Sequence, residues 1–490
     1  MHSRRWLLLT TVSMGLLLIT LDNSILYTAL PTLTADLGAS ATESLWIINA
    51  YPLVMAGLLL GAGTLGDRVG HRRMFVVGLC LFGAASLGAA FAPGPEVLIA
   101  ARGILAVGAA AMMPATLALI RVGFTDAQER NIAIAVWGSV SVVGMALGPI
   151  ISGALLSSFW WGSVFLINVP VIAVALIAVP LVAPPNDPDP SREWDLPSSV
   201  LALLTLVGLV LLIKERSGEI VIAAAILAVL GGVLFVRRQR TIAHPLLEFG
   251  IFRHAAFAAG ALAATLSMFV VAGVQLITTQ RFQLVAGYTP LQAGLLIAAL
   301  ALGSLPTALL SGAYLHVIGL RLLIAGGLAV AGVSTAVLAL SLGSFALVLG
   351  SLVGIGVGLG AVMAVASTAI VGNVPPRRAG MASSVEEVSY EFGSLIAVAV
   401  LGTMIGSLYT SRVVLPEGAD AASAGSVATA LEIAGNDLAV LEAAFTAYDE
   451  SYRIVALVIA ASALVAAGTM ARMLQRHGWR SASTLPDTGH

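Results

Sequence analysis

The sequence predicts an all-α membrane protein, and three observations carry that prediction. Of 490 residues, 59% are hydrophobic and only 10% charged, where a soluble domain carries about 25% charged residues. Apolar runs long enough to cross a hydrocarbon layer of about 30 Å recur along the whole chain. No stretch alternates with the period of two that a membrane β-barrel requires. The same composition excludes other classes. A net charge of −1 leaves no basic surface for nucleic acid. Cys80 is the one cysteine, so neither an intrachain disulfide nor a thiolate metal site is expected. The His residues show no metal-ligand spacing, and no Ser/His/Asp or phosphate-loop constellation appears, so neither an enzyme, a metal nor a cofactor is expected.

The first span covers residues 6–30. Arg4-Arg5 before it suggests a secretory leader, but the run is too long, contains Asp22 and lacks a small-residue cleavage site, so it reads as a retained helix. Asp22 lies about 24 Å from the Trp6 end. A charged carboxylate at that depth costs about 2.5–3.5 kcal/mol on insertion scales. It is either an ion or substrate site or a structural acid paired with a cation on a neighbouring helix.

Further spans are expected at 45–65, 74–92, 96–120, 131–156, 160–183, 196–213, 219–236, 254–279, 290–315, 321–341, 344–371, 381–410 and 450–473, fourteen in all. Charge tests this count. With the amino terminus inside, most of the 24 basic residues fall on the cytoplasmic side. Only Lys214, Arg216, Arg281, Arg412 and Arg453 fall outside, with Arg102 within a helix, an asymmetry that obeys the positive-inside rule. Both termini are then cytoplasmic. Two segments interrupt the rhythm: the proline-rich linker Pro184–Ser198, and an acidic external loop, 411–449, whose part Ala428–Tyr448 reads as a short amphipathic helix. The chain therefore groups as a six-helix half (1–183), a linker with two inserted helices (184–253) and a second six-helix half (254–490). A 6+2+6 plan resembles that of transporters built from repeats, which bind substrate between their halves.

The turn after the second span reads Gly63-Thr-Leu-Gly-Asp-Arg-Val-Gly-His-Arg-Arg73. Gly66 and Gly70 suit a chain reversal, and Asp67 can bond a helix end or an arginine. This resembles the loop signature of the major facilitator superfamily. The resemblance implies a conformational latch formed by Gly63, Asp67, Arg68, Gly70 and Arg72, with His71 where a basic residue is usual. Arg102, in the apolar run Leu98–Gly108, needs a carboxylate or carbonyl partner, or must snorkel to an interface. It resembles the superfamily's arginine motif in the fourth helix, with Leu105 and Ala106 replacing the usual Gln-Gly. Trp137 through Gly153 carries Gly144, Gly148 and Pro149, which permit close helix approach and a kink. This is similar to the Gly-Pro signature of antiporters in that superfamily.

Leu21–Pro31, Phe165–Pro170, His244–Phe252 and Gln283–Pro290 extend the resemblance to the fourteen-helix drug:proton antiporters, in particular the quaternary-ammonium and methyl viologen resistance pumps. It implies a monomeric, multi-pass protein of the bacterial inner membrane. It would exchange protons for lipophilic cations (quaternary ammonium compounds, viologens, biguanides, dyes), with the proton gradient as energy source. An importer or uniporter of a small organic solute is the alternative. In that reading Asp22 and Arg102 couple the proton, since burial favours the neutral acid and a neighbouring cation the ionised one. A second acidic group, Glu386, Glu387 and Glu391 with Tyr390, begins the span 381–410. Glu387 and Glu391 share one helix face, and Tyr390 lies over Glu386. Acids beside an aromatic ring suit a lipophilic cation, unless the span starts at Phe392 and leaves them on a cytoplasmic extension. Gly350, Gly354 and Gly358 read as a close-packing seam.

Overall fold

The computed structural model describes residues 2–190, 194–214, 218–242, 245–371, 379–435 and 437–475. Arg192, Arg216, Arg377, Arg378, Arg476 and Arg480, which contribute to the charge asymmetry, lie outside the described residues, as does His244. The helices are α1 (His2–Leu37), α2 (Ala41–Val69), α3 (His71–Ala90), α4 (Pro95–Gly123), α5 (Ala127–Ser158), α6 (Ser163–Leu166), α7 (Asn168–Val182), α8 (Leu196–Lys214) and α9 (Gly218–Thr241). They continue with α10 (Ala255–Gln280), α11 (Pro290–Ile318), α12 (Leu320–Leu340), α13 (Phe345–Val371), α14 (Ala379–Arg412), α15 (Val427–Ala434) and α16 (Leu438–Met473). Among the described residues 13 helices are long and apolar enough to cross a membrane. The count reaches 14 when the two parts of α5, Val136–Met145 and Leu147–Ser158, are taken as one span bent by 43°. No strand occurs among the described residues.

The chain divides into two compact units: Met1–Leu26, Leu37–Ala39 and Trp46–Glu248 form the first, and Tyr27–Asp36, Ser40–Leu45 and Phe249–His490 the second. Within the first, α3 and α4 approach so closely that a Cβ on Gly78 would meet the Gly108 carbonyl at 2.7 Å. Small residues let backbones touch where lipid offers no hydrophobic drive to associate. The inserted pair follows the same rule. Gly208 of α8 lies against the backbone of Ala224 and Ala228 on α9, and α8 seats on α2 where Leu203 covers Gly57 and Ser199 covers Gly61. The exposed face of α9 carries Ile222, Ile226, Val229 and Val233, the surface expected against lipid.

Within the second unit, α12 and α13 meet at Gly327 and Gly358, and Gly354 faces Ser334. The seam expected along α13 thus holds at Gly354 and Gly358, while Gly350 meets nothing within 4 Å. A second seam on the same helix, Gly356 and Gly360 against α11, has the same spacing one face over.

Three elements differ from the sequence expectation. The segment 411–449 is not one loop. Gly435, at φ +51°, ends α15, and Asp437 then caps a new helix by accepting from the amides of Ala439 (3.1 Å) and Val440 (3.3 Å). The alanine-rich run 438–449 offers no breaker, so it joins the final span as one helix of 36 residues. The span 160–183 is interrupted at Ile167, because Pro170 has no amide to give the Leu166 carbonyl. Gly66 lies inside α2, so the reversal falls on Gly70 alone, at φ +96°, a region that a side chain disfavours.

Candidate functional site

The first unit collects its buried polar groups around Asp22, which is 1% exposed. Arg102, on the buried face of α4 and 0% exposed, donates from Nη1 to Asp22 Oδ2. Its Nε donates to the Ile47 carbonyl at 3.2 Å, and its guanidinium lies 4.6 Å from the centre of the Tyr51 ring. Arg102 therefore does not snorkel; it is paired in the interior. From the other side Asn168, at the start of α7 and 0% exposed, gives Nδ2 to Asp22 Oδ1 and to Ser86 Oγ, both at 3.2 Å. Arg102 Nη2 and Asn168 Oδ1 make no hydrogen bond. Two charges withdrawn from water this way are tolerable only because each neutralises the other.

The bend in α5 belongs to the same neighbourhood. Pro149 cannot donate to the Met145 carbonyl, and that carbonyl accepts from Ser24 Oγ at 2.8 Å. A Cβ on Gly148 would lie 2.4 Å from Ser24 Oγ, and one on Gly144 2.1 Å from Thr20 Oγ1. The glycines thus bring α5 onto α1 beside Asp22, and a serine two residues from Asp22 compensates the proline. Gly153 is buried farther along α5. Trp137 donates to Thr116 Oγ1 at 3.1 Å, which ties α5 to α4.

At the α2–α3 turn Asp67 bonds His71 Nε2, four positions on, at 3.0 Å, and it meets no arginine among the described residues. Arg72 donates to the Pro180 carbonyl at 3.4 Å, Arg68 is exposed and Gly63 lies within α2. The linker after α7 crosses this turn. Asn186 accepts from the Arg73 amide (3.0 Å) and donates to the Val69 carbonyl (2.9 Å), filling the space where a Gly70 side chain would stand. A cavity of about 210 Å³ beside it is lined by Asp67, His71, Arg72, Leu119, Pro185 and Asp187, among others.

In the second unit α14 runs unbroken from Ala379, so Glu386, Glu387, Tyr390 and Glu391 are helical and half-buried. Glu386 accepts from Ser367 Oγ of α13 at 3.2 Å and from Tyr390 at 3.5 Å. The structure thus brings Asp22 and Arg102 together, and Tyr390 onto Glu386. Asn168, Ser86 and Ser24 are the participants that residue chemistry alone did not single out. Ser24 and Asn168 lie within stretches that carry the resemblance, Leu21–Pro31 and Phe165–Pro170, whereas no signal pointed to Ser86.

A family model described as Major Facilitator Superfamily matches residues 12–398. The chain is 36% identical to Multidrug efflux pump LfrA of Mycolicibacterium smegmatis, covering 97% of each chain. It is 33% identical to Methyl viologen resistance protein SmvA of Salmonella typhimurium, covering 98% of each. Among solved structures, a bacterial homolog to the human lysosomal transporter Spinster, inward-facing and unoccupied, superposes with a TM-score of 0.68 over 99% of each chain. At 16% identity that likeness is one of fold.

Proposed function

Since the chain belongs to the major facilitator superfamily, and is a multi-pass transporter of the bacterial inner membrane and not an enzyme, we propose that it is a proton-coupled antiporter expelling lipophilic organic cations. Its likeness to efflux pumps along nearly its whole length supports export of small organic compounds. The finer reading rests on one observation: a carboxylate and a guanidinium, both inaccessible to solvent, paired at Asp22 and Arg102.

With Arg102 beside it, an ionised Asp22 is compensated. A proton arriving at Asp22 and a drug cation arriving near it draw on the same negative charge, so each disfavours the other. That competition couples the two flows during alternating access. Exchange of one proton for a monocation moves no net charge, whereas a dication needs two protons to remain electroneutral. The membrane potential is worth about 2.3 kcal/mol per charge per 100 mV, so the acids of α14 decide which gradient drives a dication. Glu386, Glu387, Glu391 and Tyr390 supply that second negative, aromatic surface. The topology we adopt is 6+2+6 with both termini cytoplasmic. Gly63, Asp67, Arg68, Gly70 and Arg72 act as the conformational latch, and the protein works as a monomer without cofactor or metal. The bend at Gly144, Gly148, Pro149 and Gly153 favours antiport over an importer or uniporter, which would not need it.

The test is efflux of ethidium from proteoliposomes with and without a pH gradient, together with proton release when ethidium is added to the purified protein. Gradient-dependent efflux and proton release, both lost in Asp22→Asn, are expected. Proton exchange that persists in Asp22→Asn overturns the assignment.

A further inference from the structure

Asn168 lies outside the set of acids, arginines and glycines on which the coupling reading rests, yet it holds the side of Asp22 that Arg102 leaves free. Its Nδ2 stands 3.2 Å from Asp22 Oδ1 and 3.2 Å from Ser86 Oγ. Asn168 and Ser86 are both 0% exposed, and Asn168 Oδ1 makes no hydrogen bond. From these contacts we infer that Asn168 and Ser86 form a two-position hydrogen-bond switch that follows the protonation of Asp22. The inference rests on Asp22 being the proton acceptor.

An ionised carboxylate only accepts hydrogen bonds, whereas a protonated one must also donate. Arg102 is a donor in every state, so it serves the ionised form and offers nothing to an Asp22 hydroxyl. Tyr51, over whose ring the guanidinium lies, contacts Arg102 from α2. Asn168 carries a donor and an acceptor on one planar group. In the structure Nδ2 faces Oδ1, the arrangement that suits an ionised Asp22. When a proton binds Asp22 Oδ1, a half-turn of the amide presents Asn168 Oδ1 to the new O–H. Ser86 accommodates both positions, because a hydroxyl accepts from Nδ2 in one and donates to Oδ1 in the other. No covalent bond other than the carboxyl O–H forms or breaks, and the proton leaves by the reverse turn. In either position one amide atom points away from the carboxyl without a partner, so the charge on Asp22 selects the orientation. The energetic need is plain: an unsatisfied hydroxyl in a dry site costs as much as a lost hydrogen bond, and that cost would fall on the protonated state in every cycle.

The experiment is pH-difference infrared spectroscopy of the purified full-length protein, without substrate, carried out with and without ¹³C-labelled asparagine. A carboxylic C=O band that titrates and disappears in Asp22→Asn identifies the proton on Asp22. In the wild type a ¹³C-sensitive asparagine carbonyl band is expected to shift at the same pH. In Asn168→Leu that asparagine signal is expected to vanish and the Asp22 band to move to higher frequency, as for a carboxyl that has lost its acceptor. Ser86→Ala should leave the Asn168 signal in place but broaden it. Ethidium exchange in Asn168→Leu should slow about tenfold, the worth of one buried hydrogen bond, with its apparent KM changed less than the rate. The labelled wild type makes the test independent of whether Asn168→Leu folds. An Asp22 band that titrates with no asparagine carbonyl moving with it overturns the switch and leaves the coupling reading standing. No Asp22-dependent band at any pH overturns both.

Discussion

Asp22 in the first unit and Glu386 in the second are both carboxylates on membrane-length helices, and they are held by different chemistry. Asp22 meets a guanidinium and an amide. Glu386 meets two hydroxyls, from Ser367 and Tyr390, and has Glu387 and Glu391 on its own helix. A carboxylate with a built-in counter-cation can remain ionised while nothing is bound. One whose hydrogen-bond partners are neutral pays for its charge in a low-dielectric site until a proton or another cation arrives. On the proposed reading, the first unit discriminates between a proton and a drug, and the second accumulates positive charge.

The sharpest way to break that contrast is to remove one half of each arrangement. Asp22→Asn leaves the Arg102 guanidinium buried without its counter-ion, a change worth about 3–5 kcal/mol when a buried pair is broken. It should lower the thermal unfolding midpoint in detergent markedly. The double variant Asp22→Asn/Arg102→Met should recover most of that loss, since removing a whole buried pair is often nearly neutral, yet should exchange no protons. Glu386→Gln, which keeps the shape and both hydroxyl partners, should change stability far less. A double variant as unstable as the single one would show that charge compensation is not what holds Asp22.

The α1–α5 contact ranks next. Gly148→Ala drives a methyl to within 2.4 Å of Ser24 Oγ and 2.6 Å of its Cβ, and overpacking of this kind costs about 1–3 kcal/mol. Adding Ser24→Gly makes room for the methyl but surrenders the bond to the Met145 carbonyl. A double-mutant cycle read by thermal unfolding should therefore show coupling between the two positions; strictly additive losses would mean that α1 and α5 adjust separately.

Glu387→Gln sharpens the comparison on the second unit's side. Deleting one negative charge should weaken exchange of a dication, methyl viologen, about fivefold more than that of a monocation such as ethidium, the effect of roughly 1 kcal/mol from one screened charge. Equal losses for both in proteoliposomes would remove the α14 acids from any role in charge matching.

What the sequence made legible follows from signal strength. An aspartate or arginine inside an apolar run is conspicuous because burying it is so costly, and Asp22 and Arg102 were picked out for that reason. Asn168 and Ser24 are uncharged, and their partners lie 146 and 121 residues away in the chain, a relation that no local pattern encodes. The spans read well because their apolar length is itself the physical requirement. Their ends did not, since α16 continues through polar residues as far as Leu438 once Asp437 has capped it. The turn at Gly70 illustrates the same limit. Two glycines looked equally able to reverse the chain, and only the backbone shows that Gly66 is spent on letting α2 pass close to His71.

A second aspartate–arginine pair in the first unit, outside the spans, provides the control for Asp22. Asp195 accepts from Arg238 Nε at 2.9 Å and from the Ser198 amide at 3.2 Å. Gln239 extends the group by donating to Ser198 Oγ at 2.6 Å and accepting from the Leu247 amide at 3.1 Å. Burial works against the charge on Asp195, but the hydrogen bonds from Ser198 and Arg238 outweigh it and hold the carboxyl below its ordinary range. A depressed carboxylate contributes stability above its unfolded value, about 3.9, and loses it as pH falls through the folded value. The α8–α9 pair should accordingly be indifferent to pH between 7 and 5 and loosen only below about pH 4, as read by hydrogen exchange at the Leu247 amide. The Asp195 side chain is only 9% exposed, but its Arg238 partner is 40% exposed, so solvent screens the pair from the arginine side and Asp195→Asn should cost about 1 kcal/mol. If Asp195→Asn proved as damaging as Asp22→Asn, solvent access to the arginine would not be what separates the two pairs, and the special standing of Asp22 would need another cause.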